Sequence, residues 1–218
     1  SVQKVYYHKL GTPQSQDVLF YQNPAYPLRF YGVGVNKEET MMFLYESGMD
    51  QGLNLYVRDL RQPNSQFIQM TGDASKNYSP IETIGDSIYL FTNAGAENNR
   101  IMVADIHHPG YQDWKELVPQ SDDVLDGVTF IGGDKLVLTY TKDNISEAFL
   151  YNINGQRLSE IKLPGVGSAS FSGKRERPEC FYSYTSYTVP NTIYQYDYKT
   201  GKSTVYSQPK VNFRTSDY

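Results

Sequence analysis

Serine, histidine and cysteine are the residues whose chemistry would show first, and their neighbours decide how far each can go. A hydrolase of the Ser/His/Asp type needs its nucleophile on a strained strand–turn–helix elbow, written G-x-S-x-G, so that the hydroxyl projects beside an oxyanion hole. No such pattern occurs. The nearest approaches, Gly167-Ser168-Ala169-Ser170 and Ser172-Gly173, fall at the turn-rich start of a strand with no helix after them. No serine is therefore expected to act as a nucleophile, and no catalytic residue is assigned. His107-His108 adjoin Pro109-Gly110 directly after a strand. Adjacent strand residues point to opposite faces, and a metal site wants further ligands at fixed spacing, so solvated turn histidines are the expectation. His8 alternates with Tyr7 and reads as a packing or hydrogen-bonding residue. Cys180 is the single cysteine, which leaves no partner for an intrachain disulfide and no cysteine-based zinc site. No metal or other cofactor is expected.

The aromatic run Phe181, Tyr182, Tyr184 and Tyr187, followed by Tyr194, Tyr196, Tyr198 and Tyr206, could form a stacking platform for glycans or single-stranded nucleic acid. A nucleic-acid platform comes with a basic groove, yet only Lys174, Arg175 and Arg177 lie near, interrupted by Glu176. On alternate strand positions the same rings can fill the space between sheets, with hydroxyls reaching the edge. Core packing is the expectation.

Composition narrows the classes further. The chain has 218 residues, is 39% hydrophobic, and carries a net charge of −4 from 20 basic and 24 acidic side chains. A core of good size can form, and a mildly acidic surface argues against nucleic acid or anionic membrane as partners. No stretch approaches the roughly 18 apolar residues of a membrane helix, and the start lacks the basic and apolar regions of a signal peptide. Ser1 in first position, in place of Met, is what a processed or excised chain would show.

The elements that must position these residues are strands. Val/Ile/Tyr/Phe/Thr runs recur between Gly, Pro, Asn and Asp, the clearest at Val5–His8, Thr40–Tyr45, Leu53–Leu60, Ser87–Thr92, Arg100–Ile106, Lys135–Tyr140, Ala148–Ile153, Glu179–Tyr184 and Thr192–Tyr198. No apolar pattern at helical spacing persists over three turns, so the chain reads as all-β. The strands ending at Asp59, Asp105, Asn152 and Asp197 resemble one another, and these marker positions are 46, 47 and 45 residues apart. That is roughly the length of a four-stranded propeller blade. The parts recur in one order: an opening strand, a more apolar strand, a marker strand and a short outer strand. Four complete units result, at 27–72, 78–120, 124–165 and 168–208, flanked by partial units at 1–22 and 211–218. A blade cannot bury both faces of its sheet alone, which is why such repeats close into rings. A β-sandwich would not require the 46-residue period.

At Gln3-Lys4-Val5-Tyr6-Tyr7-His8-Lys9-Leu10-Gly11-Thr12, with Gln14-Ser15 and Asp17 after it, the sequence resembles the propeller domain of the prolyl oligopeptidase family. The likeness continues through Trp114-Lys115-Glu116-Leu117-Val118-Pro119, Asp123-Val124-Leu125, the stretch Phe181–Tyr187 with Pro190 and Ile193-Tyr194, and Ser216-Asp217-Tyr218. The resemblance implies a partial seven-bladed β-propeller of about four complete blades plus flanking strands. In the family such a propeller caps an α/β-hydrolase domain that carries the triad and cleaves short peptides after proline. That hydrolase domain would lie outside this chain, which alone should be inactive.

The same resemblance implies two substrate-binding positions. Family propellers give apolar side chains to a subsite about three residues upstream of the cleaved bond. Matching the segments places Phe30 (Pro27-Leu28-Arg29-Phe30-Tyr31-Gly32) and Met49 (Ser47-Gly48-Met49-Asp50) there, while packing within their own blade would explain both equally well. Two departures bear on the match: the family's Asp-Gly turn is replaced by Asn36-Lys37-Glu38-Glu39-Thr40, and the loop before Gly48 is about a residue short. The implied partners are the hydrolase domain of the same longer chain and short proline-containing peptides. The compartment, cytoplasm or periplasm, stays open. Uncovered blade faces at the two ends would favour self-association. A non-enzymatic interaction scaffold and a carbohydrate-binding β domain built on the tyrosines are the competing readings.

Overall fold

The computed structural model describes residues 2–49 and 52–209. The expected partial unit at 211–218, the Ser216-Asp217-Tyr218 match and Asp50 lie outside them. By internal contacts the chain divides into two compact units, residues 1–96 with 101–116, and residues 97–100 with 117–218.

The first unit begins with a two-stranded sheet of β1 (Lys4–Tyr7) and β2 (Val18–Gln22). A four-stranded sheet follows, β3 (Phe30–Val35), β4 (Met41–Ser47), β5 (Leu53–Asp59) and β6 (Ile68–Gln69), then another, most of it in this unit, β7 (Tyr78–Ile84), β8 (Ser87–Thr92), β9 (Arg100–Asp105) and β10 (Lys115–Val118). The second unit holds β11 (Val124–Ile131), β12 (Lys135–Lys142), β13 (Ile145–Asn152) and β14 (Arg157–Ile161), and the sheet β15 (Ser168–Gly173), β16 (Glu179–Thr185), β17 (Thr192–Asp197) and β18 (Lys202–Ser207). In every sheet the strands neighbour one another in chain order, so each is a meander closed by short turns. No α-helix occurs among the described residues, and the all-β reading with four four-stranded sheets stands.

The patterning follows from what covers each strand. The second strands carry unbroken apolar runs, Met41-Met42-Phe43-Leu44 and Leu136-Val137-Leu138, because both faces of a middle strand meet neighbours. The fourth strands β6 and β18 are mostly exposed and lack the apolar runs of the second strands. In the first unit Met41, Phe43, Leu55 and Val57 of one sheet form a single core with Tyr78, Ile88, Leu90, Met102 and Trp114 of the next. In the second, Val137, Leu150 and Ile161 pack with Cys180, Tyr182, Tyr184 and Tyr196. Burial of such side chains contributes roughly 1.5–3 kcal/mol each.

Turn chemistry sets the registers. Where the family has Asp-Gly, Asn36 does the work of a turn with its side chain. Its Oδ1 accepts the N–H of Thr40 and of Met41, each at 2.8 Å, and its Nδ2 donates to Thr40 Oγ1 and to Thr83 Oγ1 on β7, each at 2.9 Å. Glu39 takes the left-handed conformation, φ 56°. Between β12 and β13, Asp143 and Asn144 have φ of 48° and 63°, the two-residue geometry that matches the right-handed twist of a hairpin.

Candidate functional site

The opening strand β3 and the β4–β5 connection bring both candidate residues to one end of the β3–β6 sheet. Phe30 pairs across the sheet with Ser47, and Met49 lies two residues beyond that partner. Both side chains face solvent: Phe30 is 60% exposed and Met49 98%. Neither is taken up in the packing of its own sheet. They do not, however, share one cavity. Met49 lines a cleft of about 270 Å³ with Gly48 and the segment Ala25–Arg29, and Phe30 stands outside it.

Beneath the cleft lies an arrangement that spacing alone did not reveal. Glu46, fully buried on β4, accepts a hydrogen bond from Arg29 Nη1 at 2.7 Å on Oε1 and from the Tyr56 hydroxyl at 2.6 Å on Oε2. The Arg29 guanidinium also lies over the Tyr26 ring, 4.1 Å from its centroid, a cation–π contact. The Glu46 hydrogen bond raises the Arg29 pKa. Burial first, then that same carboxylate, pushes the Tyr56 hydroxyl well above its ordinary range, and burial followed by Glu46 raises Tyr21 and Tyr31 as well. An acidic residue directly after the apolar run Met41–Tyr45 was the available signal, since a carboxylate in such a strand must find partners. Which partners could not be read, because Arg29 is 17 residues away.

The remaining candidates separate cleanly. Ser168, Ser170 and Ser172 sit on the exposed face of β15, in a strand and not on an elbow. His8 Nδ1 and Asp17 Oδ1 are 2.6 Å apart; the pair ties the ends of the β1–β2 connection together, and among the described residues no serine hydroxyl is bonded to the ring. His107 and His108 occupy the turn between β9 and β10, with His107 Nε2 3.4 Å from Asp86 Oδ2. No group of three His, Cys, Asp or Glu suited to a metal occurs among the described residues. Tyr182, Tyr184 and Tyr196 are buried, and Tyr182 stacks between Phe171 at 4.6 Å and Tyr194 at 5.1 Å. These three rings are core, Phe181, Tyr194 and Tyr198 are half-buried, and only Tyr187 and Tyr206 of the run stand exposed, which leaves a glycan platform little continuous surface.

Comparison with known proteins agrees with this architecture. The chain is 37% identical to a prolyl endopeptidase of Elizabethkingia meningoseptica over 216 residues, which is 99% of the chain and 30% of that relative. A prolyl endopeptidase of Elizabethkingia miricola is 34% identical over 216 residues, again 99% of the chain and 30% of the relative. The chain thus spans about 30% of the length of these relatives. A solved prolyl endopeptidase, from work on the role of inter-domain dynamics in catalysis and specificity, superposes with a TM-score of 0.85 at 27% identity over 98% of this chain and 31% of that one. The sequence profile described as "Prolyl oligopeptidase, N-terminal beta-propeller domain" matches residues 1–209, and on that match, with the meander sheets that fill it, the chain belongs to the N-terminal β-propeller domain family of the prolyl oligopeptidases.

Proposed function

We propose that this propeller serves as the lid and size filter of a proline-specific serine oligopeptidase whose hydrolase domain, in the same longer polypeptide, supplies the triad. A ring of blades encloses a narrow passage, so a short flexible peptide reaches the active site and a folded protein does not. Selectivity by size then follows from geometry. Phe30 and Met49 add contacts to the part of the peptide upstream of the scissile bond.

The observation that carries this reading is the exposure of these two large apolar side chains at one end of a single sheet. Such side chains are kept in water at a free-energy cost of roughly 25 cal/mol per Å² of apolar surface, which contact with a ligand or domain would recover. The test uses the full-length polypeptide. Phe30→Ala and Met49→Ala raise KM for peptides long enough to reach the subsite and leave a minimal Gly-Pro reporter unchanged. The same enzyme leaves folded proteins uncut. The 218-residue chain alone leaves the reporter intact, and cleavage by it would defeat the assignment. A second copy of the chain is a further partner in this reading, taken up through the β1–β2 sheet.

A further inference from the structure

Glu46 is the one charged side chain among the buried residues described. A carboxylate there is costly unless its oxygens are satisfied, and a well-packed apolar pair would serve stability at least as well. What a carboxylate does and a leucine cannot is fix a direction. Its Oε2 is held by Tyr56, from the neighbouring strand β5, at 2.6 Å. Its Oε1 then reaches Arg29 at 2.7 Å, in the residue just before β3. Arg29 in turn lies over the Tyr26 ring at 4.1 Å.

This relay runs from the rigid middle of the sheet to the arch of residues 25–29, one wall of the cleft whose other wall is Gly48-Met49. The arch is otherwise tied by local turn bonds, Ala25 N–H to Asn23 Oδ1 at 3.1 Å, and Tyr26 N–H to Asn23 O and Arg29 N–H to Tyr26 O, each at 3.2 Å. Leu28, at its crest, is 79% exposed. The walls, Tyr26, Leu28 and Met49, are mainly apolar, and the charge on Arg29 is already matched by Glu46. A large uncharged side chain fits such a cleft better than a charged one.

We propose that Glu46 is a positioning residue: through Arg29 it sets the distance between the Tyr26 arch and Met49, and so selects peptides that place a large apolar side chain in the cleft. This rests on reading Met49 as a substrate contact.

The test has a structural and a kinetic arm. In the chain carrying ¹³C-methyl methionine, the Met49 resonance, assigned with Met49→Leu, is followed in Glu46→Gln, Arg29→Lys and the double variant R29M/E46L, which removes both charges and strands neither. The double variant shifts or broadens Met49 and leaves Met102, in the core, unmoved; Arg29→Lys, which keeps the ion pair, stays close to the unsubstituted chain. In the full-length polypeptide the double variant raises KM about tenfold for a peptide with a large apolar side chain at the contact, with kcat unchanged, and spares the shorter peptide. An unmoved Met49 methyl, or an equal rise in KM for both peptides, overturns the proposal. If Met49→Ala leaves the longer peptide's KM unchanged while the methyl still responds to Glu46, the substrate-contact reading fails and the selectivity claim falls with it, but the positioning of the arch survives.

Discussion

Arg61 Nη1 donates to Asp86 Oδ1 at 2.7 Å, joining the β3–β6 sheet to the β7–β10 sheet. The same guanidinium also holds Asp59, through Nε to Oδ1 at 2.9 Å and Nη2 to Oδ2 at 3.0 Å. The hydrogen bonds from Arg61 are the main reason that both carboxyls lie below their ordinary pKa. A carboxyl depressed in the folded state contributes stability above its unfolded pKa and loses that contribution as pH falls through the folded one. Arg61→Ala is therefore expected to lower the urea midpoint slightly at pH 7, since the pair is exposed and screened. The gap should narrow below about pH 4, where the carboxyls take up protons. Urea titrations from pH 7 to pH 3 check this; a gap that does not change with pH would show that the substitution acts through something other than charge.

Trp114 anchors the same unit at the far edge of its core. Its indole Nε1–H donates to Pro109 O at 2.8 Å, and Tyr111 and Tyr78 approach its ring edge-on at 5.1 Å and 5.9 Å. Trp114→Ala should cost ~3–5 kcal/mol, and Trp114→Phe less, because both leave the Pro109 carbonyl without its donor but Phe leaves the smaller cavity. As the single tryptophan, its own emission reports the unfolding of the unsubstituted chain, and circular dichroism reports that of the variants.

Cys180 is fully buried on β16, and burial pushes its thiol up to about 12. Thiolate is the reactive form, so at neutral pH the folded chain should resist a disulfide reagent and label only as fast as it opens. The labelling rate should rise steeply with urea. Full labelling within seconds in native buffer would mean that the β15–β18 sheet does not pack as described.

The sheets were legible and the cleft was not, for one physical reason. A strand covered on both faces needs an apolar run, so stretches such as Leu53–Leu60 and Lys135–Tyr140 stand out, and their common spacing gives the repeat. Edges are weaker: the outer strand expected at Gln66–Met70 pairs only at Ile68–Gln69, while Phe67 turns to Phe20 and Tyr21 and Met70 enters the core, contacts that hold the segment without a ladder. Phe30 and Met49 came from the resemblance alone, since an exposed apolar residue looks the same in sequence as a buried one. Glu46 and Arg29 depend on register. Arg29 reaches Glu46 because Tyr31 pairs with Glu46 across β3 and β4, and no spacing rule supplies that pairing in advance.

The two ends of the described chain differ in what they offer a second copy. On β15 the exposed face is Ser168, Ser170 and Ser172, and Phe181 meets Tyr206 edge-on at 4.9 Å while Tyr206 stays largely exposed. The exposed apolar surface of this sheet is confined to its last strand, with Val205 and Tyr206. At the other end β1 and β2, among the described residues, pair only with each other, and Tyr6 with its partner Leu19, and Tyr7 with its partner Val18, are exposed. A short apolar sheet with unpaired edges is a template for strand addition, and a lysine in it opposes that pairing. Self-association of the chain is therefore expected through β1–β2. Light scattering across a concentration series should show dimer that Leu19→Lys abolishes and Ser170→Lys leaves intact; monomer throughout, or a loss of dimer on changing Ser170, would refute it.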